Sequence, residues 1–157
     1  PTELSYDADG GIGYRAPGVR ARGAVFAFGH GLGYAGTATE VTEAVVVDGG
    51  VRLGLAVTNT GVRDTVHVTQ VYAEVSGAAP ELIAVVRVPV AAGATTSAQA
   101  VVGPAAFAQW DTRARDRVAV AGTHRLHVAT ASDQLGGEVS VLVRNGEVVE
   151  AASRELS

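Results

Sequence analysis

The segment "VRLGLAVTN", residues 51–59, alternates without interruption. Val51, Leu53, Leu55 and Val57 fall on one side of an extended chain, and Arg52, Gly54, Ala56 and Thr58 on the other. Successive side chains of a β-strand point to opposite faces, so such a segment buries one face and wets the other only as a strand. The pattern recurs from about residue 38 onward, cut by turn signals at intervals of roughly ten residues. "TATEVTEAVVV" runs into the turn "DGG", and "NTG" closes the 51–59 segment. "TVHVTQVYAEV" follows, with Val66, Val68, Gln70 and Tyr72 on one face and His67, Thr69, Val71, Ala73 and Val75 on the other. Both faces carry apolar residues, which predicts either a central strand or a bulge near Thr69. "ELIAVVRVPV" is a further strand turned by "AAGAT", followed by "TSAQAVVG" and by "PAAFAQWD", which holds the only tryptophan. "RDRVAVAG" and "HRLHVATA" read as a strand pair around Gly122, and the arginines of "TRARDRV" (113, 115 and 117) as a solvated strand face. The C-terminal "EVSVLVRNGEVVEAAS" is a hairpin, because Asn145-Gly146 suits the mirror-image turn that matches strand twist. These elements predict an all-β protein, an antiparallel β-sandwich of seven to eight strands. No segment carries a helical stripe, and no internal repeat is visible.

Composition agrees with short strands and narrows the partners. Hydrophobic residues make up 47 % of the 157 residues but aromatics only 5 %, so valine and alanine supply most of the apolar surface. Valine, being β-branched, suits strands. Net charge is −4 and all 12 basic residues are arginine, a bias we read as that of a GC-rich bacterial genome. An acidic chain with scattered arginines is a poor ligand for nucleic acid. With no cysteine there is no disulfide, thiolate nucleophile or Cys-based zinc site. No apolar run approaches the roughly 20 residues that span a bilayer, so no membrane partner is expected. The reading is of a soluble chain, cytoplasmic or secreted. Because it begins at Pro1 and lacks methionine, we read it as a piece of a longer product.

Residues 1–37 differ from the rest. They are rich in glycine and arginine and carry aromatics at Tyr6, Tyr14, Phe26, Phe28 and Tyr34, with no sustained period. We read an irregular, extended arm (1–37) that lays its aromatics on another surface, followed by the sandwich (38–157). Within it, "GLGYAG" (Gly31, Gly33, Gly36) is a literal dinucleotide fingerprint. That motif works only between a strand and a helix whose N-terminus holds the pyrophosphate, and "TATEVTEAVVV" is a poor helix. His30 is a candidate base or ligand, but no His-x-His or HExxH pattern accompanies it, and His124 and His127 point to opposite faces of a strand. No G-x-S-x-G occurs. The acid pairs Asp7/Asp9, Glu40/Glu43 and Asp111/Asp116 sit in turn-like or solvent-facing contexts rather than as paired acid/base groups. We expect no catalytic residue, no cofactor and no metal.

Six motifs in one order carry a family resemblance. "YDADGGIGYR" (6–15), "AFGHGLGY" (27–34), "VTNTGVRDTVHVTQVY" (57–72), "VVRVPVAAGATTSAQAVV", "AFAQWD" and "GTHRLHVATASDQL" resemble the C-terminal part of glycoside hydrolase family 3 enzymes. Departures exist. Ala27 stands where the family prefers Pro, Gly33 where it prefers Ser, His124 where Tyr is common and Ala129 where Gly is common, while Ala8 and Asp9 match the family's Glu-containing stretch only loosely. The resemblance implies a fibronectin type III-like sandwich joined by its arm to a catalytic body. It further implies that the parent is an exo-acting β-glucosidase or β-xylosidase that retains configuration through an aspartate nucleophile and a glutamate acid/base. The nucleophile's S-D-W-type motif is absent here, so the chain is expected to be inactive alone. The implied role is accessory: it stabilises the catalytic domains of the same polypeptide, and any oligosaccharide is met through the parent enzyme. Expected docking or structural residues are Tyr6, Tyr14, Arg15, Phe26, Phe28, Gly29, His30, Gly31, Leu32, Tyr34 and Trp110. The alternative is a carbohydrate-binding module, which needs a row of exposed aromatics; a cell-surface adhesion module fits the arm poorly.

Overall fold

The alternating segments form strands. The computed structural model describes residues 12–31 and 35–154. Ten strands occur among them: β1 (Thr37–Val47), β2 (Gly50–Asn59), β3 (Thr65–Glu74), β4 (Glu81–Val90), β5 (Thr95–Val102), β6 (Ala108–Asp111), β7 (Asp116–Ala119), β8 (Gly122–Ala129), β9 (Leu135–Arg144) and β10 (Glu147–Arg154). One sheet has the order β1-β2-β5, the second β10-β9-β8-β3-β4, and β6 and β7 form a separate two-stranded ribbon. All pairings are antiparallel. The sheets face each other across a core built from alternate residues, as in a sandwich. Val51, Leu53 and Leu55 of β2 meet Val71 and Ala73 of β3, Leu126 and Val128 of β8, and Val139, Val141 and Val143 of β9 in one buried cluster. Val57 packs in a smaller cluster with Val88 and Val90.

Three expectations need correction. Ten strands replace seven to eight, and the tryptophan segment, not assigned as a strand from sequence, supplies one of them as the four-residue β6. The strand that follows the arginines pairs with β6, not β8: Trp110 opposes Arg117 and Asp111 opposes Asp116. The cause is local. The Asp111 carboxylate accepts the backbone N–H groups of Arg113 and Ala114, folding the chain back on itself at once. Arg113 and Arg115 therefore lie in the turn, and of the three arginines only Arg117 belongs to a strand. Third, the arm contains a short helix, α1 (Pro17–Arg22), preceded by a 3-10 turn at Gly13–Arg15. Pro at its first turn pre-sets φ for a helix, and six fully surface residues give no stripe to read.

β3 is central, flanked by β8 and β4. The irregularity lies on its neighbour: Val71 opposes Ala84 and Tyr72 opposes Leu82, leaving Ile83 as the extra residue of a bulge on β4. At the C-terminal hairpin, Asn145 and Gly146 have φ of 52° and 85°, the left-handed values that the expected turn requires. Among the described residues no helix is long and apolar enough to cross a membrane.

Candidate functional site

The outer face of the five-stranded sheet is where the arm lands. On β3, inward residues have their place in the core. Of the outward ones, Val66 and Val68 are exposed, but Gln70 and Tyr72 are buried. What buries them is the segment before β1. The Tyr14 ring packs edge-on against Tyr72, with centroids 6.2 Å apart, and stacks on Phe28 at 4.5 Å with an interplanar angle of 9°. These are the edge-to-face and stacked geometries that aromatic quadrupoles favour. The Tyr14 hydroxyl accepts the Leu82 N–H at 2.9 Å, at the point where the β4 bulge turns that group outward. Arg15 reaches Glu81 at 2.9 Å, fixing the arm to the start of β4.

Gln70 is the hub of this contact. Its amide nitrogen donates to the Gly29 carbonyl at 3.0 Å and the Thr130 carbonyl at 2.8 Å, and its oxygen accepts the Tyr72 hydroxyl at 2.5 Å. Both amide hydrogens are used, and the buried side chain is satisfied. One side chain thereby joins the arm to the loop after β8. The Ser132 N–H adds a backbone bond to the Phe28 carbonyl at 2.9 Å. Burial, with smaller contributions from Tyr14 and Asp133, pushes the Tyr72 hydroxyl up to about 12, so it stays a proton donor to Gln70 at neutral pH. Gly29 sits at φ 81°, and a Cβ there would overlap the Gln70 amide, so glycine is required both by conformation and by space. Gly31 has no such neighbour and no left-handed φ.

His30 is exposed. Its backbone N–H closes a turn on the Ala27 carbonyl at 3.0 Å, and its ring lies 5.4 Å from Phe26, tilted by 43°. Phe26 and Phe28 keep 69 % and 47 % of their surface open, so the arm's own packing does not use them up. Trp110 lies apart from this assembly, exposed on the β6–β7 ribbon. Tyr6, Leu32 and Tyr34 fall outside the described residues. Gln70 was missed as a site residue, although an amide within an apolar strand is a legible signal; its partners, 41 and 60 residues away, are not.

The remaining histidines do structural work. His67 is buried between the sheets, and its two ring nitrogens meet the hydroxyls of Thr37 (2.8 Å) and Thr39 (3.0 Å) on β1. Burial lowers its pKa. The Ser76 N–H donates to Nδ1 of His124, which leaves Nε2 to donate to the Val120 carbonyl at 2.7 Å, while the ring stacks on Phe107. His127, on the opposite face as the odd spacing requires, faces the Glu74 carboxylate at 3.3 Å, and Arg125 binds that carboxylate's other oxygen. Burial pushes the Glu74 carboxyl up, but the hydrogen bonds from Arg125 and His127 outweigh it and hold the group below the usual carboxylate range. Among the described residues no three His, Asp or Glu side chains converge to hold a metal ion.

A cleft of about 380 Å³ opens beside the arm, lined by Gly29, His30, Thr37, His67, Thr130 and Gln134 among others. Its one hydroxyl–imidazole pair among the described residues is Thr37 with His67, whose second ring nitrogen is taken up by the Thr39 hydroxyl.

Comparison with known proteins places this fold. Residues 65–132 match the fibronectin type III-like domain family. No curated protein matches the sequence. Among solved structures, DesR, a β-glucosidase from Streptomyces venezuelae determined in complex with D-glucose, is 26 % identical with a TM-score of 0.77, over 85 % of this chain and 18 % of its own. A family 3 β-glucosidase from Bifidobacterium adolescentis is also 26 % identical with a TM-score of 0.77, over 84 % of this chain and 20 % of its own. A β-glucosidase from Kluyveromyces marxianus, at 21 % identity, shares the fold with a TM-score of 0.78 over 90 % of this chain. The chain thus spans about a fifth of the length of the first two structures, 18 % and 20 %. Residues 65–132 thus match the fibronectin type III-like family, and the β-sandwich they belong to has the fold that these β-glucosidases carry as about a fifth of their length.

Proposed function

We propose that this chain is the C-terminal accessory domain of a family 3 β-glycosidase, an exo-acting, configuration-retaining β-glucosidase or β-xylosidase, and that it stabilises the catalytic domains of the same polypeptide. The observation that carries this reading is the arm. It is pinned to one outer sheet face through Tyr14, Phe28 and Gly29, yet leaves Phe26 and Phe28 exposed as an apolar surface. Contiguous exposed apolar surface marks interfaces. The match to a segment of β-glucosidases supports the same reading. Within the proposal, residues 1–37 link and dock, the arm residues including Tyr6, Leu32 and Tyr34 serve that contact, and the chain alone hydrolyses nothing.

The test uses the full-length enzyme. Tyr14→Ala and Phe28→Ala each remove about 1 kcal/mol or more of aromatic pairing and lower the melting temperature by a few degrees, while kcat changes little. An unchanged melting temperature in both variants would sink the proposal. Titration of the chain with oligosaccharides should give no heat; retained affinity would replace the scaffold by a binding module.

A further inference from the structure

The chain has two asparagines, and the fold treats them oppositely. Asn59 is fully buried at the end of β2. Its Nδ2 donates to the carbonyls of Arg63 (2.8 Å) and Val90 (3.2 Å), and its Oδ1 accepts the Gly61 N–H at 2.9 Å. The next backbone nitrogen, that of the β-branched Thr60, donates to the Gly36 carbonyl at 2.9 Å. Asn145 is exposed in the turn between β9 and β10, and Gly146 follows it. Among the described residues neither the Asn145 side chain nor the Gly146 N–H has a hydrogen-bond partner. A glycine nitrogen, with no Cβ beside it, is the least hindered backbone group that can attack a neighbouring side-chain amide.

We propose that Asn145 is a site of spontaneous deamidation whose rate is set by the adjacent β1–β2 hairpin. The Gly146 nitrogen, its proton passing to water, bonds to Cγ of Asn145; the Cγ–Nδ2 bond breaks and ammonia leaves, closing a succinimide. Water then opens the ring. Cleavage of the bond from Gly146 N to Cγ gives aspartate. Cleavage of the bond from Gly146 N to the backbone carbonyl carbon of Asn145 gives isoaspartate. No oxidant or reductant takes part.

The closed turn holds this reaction back. The φ values of 52° and 85° belong to the mirror-image turn, whose first ψ of about +30° directs the Gly146 nitrogen away from the Asn145 side chain. Attack therefore waits for local opening at β10, an edge strand. The other sheet opposes that opening. The Val148 N–H donates to the Gly49 carbonyl at 2.8 Å, and a Cβ on Gly49 would stand 3.2 Å from Glu147 Cγ. Asp48-Gly49 has φ of 50° and 71°, close to those of Asn145-Gly146. An aspartate product at position 145 is thus accommodated as Asp48 already is. Isoaspartate, which adds a backbone atom, does not reclose the two-residue turn in register.

The test incubates the intact polypeptide that carries this chain in mildly alkaline buffer, and follows it by peptide mass spectrometry that separates aspartyl from isoaspartyl products. Asn145 should convert at least about tenfold faster than Asn59, because only its opening is local. Equal rates at the two asparagines, or no conversion at Asn145, overturn the proposal, and this comparison within one wild-type molecule needs no variant. Gly49→Ala, strained by its left-handed φ and pressed against Glu147, should speed conversion at Asn145 about threefold or more, and concentrated urea should abolish the difference. Hydrogen exchange on β2 establishes that this variant is folded; an unchanged rate in the folded variant overturns the control by the β1–β2 hairpin. Protection of the Val148 amide should survive in Asn145→Asp and be lost in the isoaspartyl form. Its survival in both overturns the difference between the two products.

Discussion

Gln70 and Gln99 both point away from the core, one from β3 of the five-stranded sheet and the other from β5 of the three-stranded sheet. Gln70 is buried and makes three hydrogen bonds; Gln99 is exposed. The faces around them differ in the same way. Beside Gln99 stand Thr95, Ser97 and the exposed Val101 along the strand, with Ala56 and Thr58 on neighbouring β2, where the Thr58 and Thr95 hydroxyls pair with each other. Apart from Val101, this is the small, mostly polar outside of an ordinary solvated sheet. Beside Gln70 stand Tyr72, Val68 and Val85, with the arm folded over part of them. A sandwich needs only its inner faces for a core, so the burial of Gln70 and Tyr72 on the outer face is owed to the arm and not to the second sheet.

That contrast is open to direct attack. Gln70→Leu leaves the Gly29 and Thr130 carbonyls and the Tyr72 hydroxyl without their partner, at a cost of about 3 kcal/mol, while Gln99→Leu stays within about 0.5 kcal/mol of wild type. Chemical denaturation of the two variants compares them, and equal losses would erase the distinction between the faces. Gly29→Ala probes the clasp from the arm's side. A left-handed φ and overlap with the Gln70 amide together cost about 2 kcal/mol, and proteolysis near residues 24–31 should accelerate. Wild-type resistance there would mean the arm does not depend on its clasp.

The smallest effect concerns the join between the sheets. Burial depresses the His67 pKa, so the fold favours the neutral ring and the unfolded chain takes up the proton first. The resulting stability is fully present above the ordinary histidine value of about 6.5 and is lost as pH falls through the folded value. Melting temperature should therefore decline on acidification from about pH 7.5 to about pH 5, and His67→Gln should decline less. The Glu74 carboxylate, held below the usual carboxylate range, contributes above its unfolded value and is lost only at lower pH, so the two windows separate. Parallel slopes for wild type and His67→Gln would show that His67 does not set this dependence.

Much of the fold was legible. Val51, Leu53, Leu55 and Val57 all face the core as their alternation predicts, and Asn145-Gly146 makes the hairpin that its preference for left-handed φ dictates. Apolar residues on both faces of the 65–75 segment point to a central strand, and β3 lies between β8 and β4 with Gln70 and Tyr72 buried on the side that is normally wet. The β6–β7 ribbon was misread because "RDRVAVAG" is compatible with either neighbour, and the Asp111 turn that selects β6 consists of hydrogen bonds two and three residues along. The candidate site was legible as a set of arm aromatics but not as an assembly. Which ring stacks on which, and the place of Gln70 among them, depend on contacts across the molecule.

The long strands, their inward faces and the Asn145-Gly146 turn can be read along the chain, because side-chain alternation and turn conformation are properties of neighbouring residues. That β3 lies between β8 and β4, that β7 pairs with β6, and that Tyr14, Phe28 and Gly29 close over Tyr72 and Gln70 emerges from the folded arrangement alone. Partners in the arm's clasp lie 41 to 68 residues apart in the chain. No local period encodes such a pairing; it forms because a glutamine amide and two tyrosine rings, placed outward by strand and arm, satisfy one another only when the chain has folded.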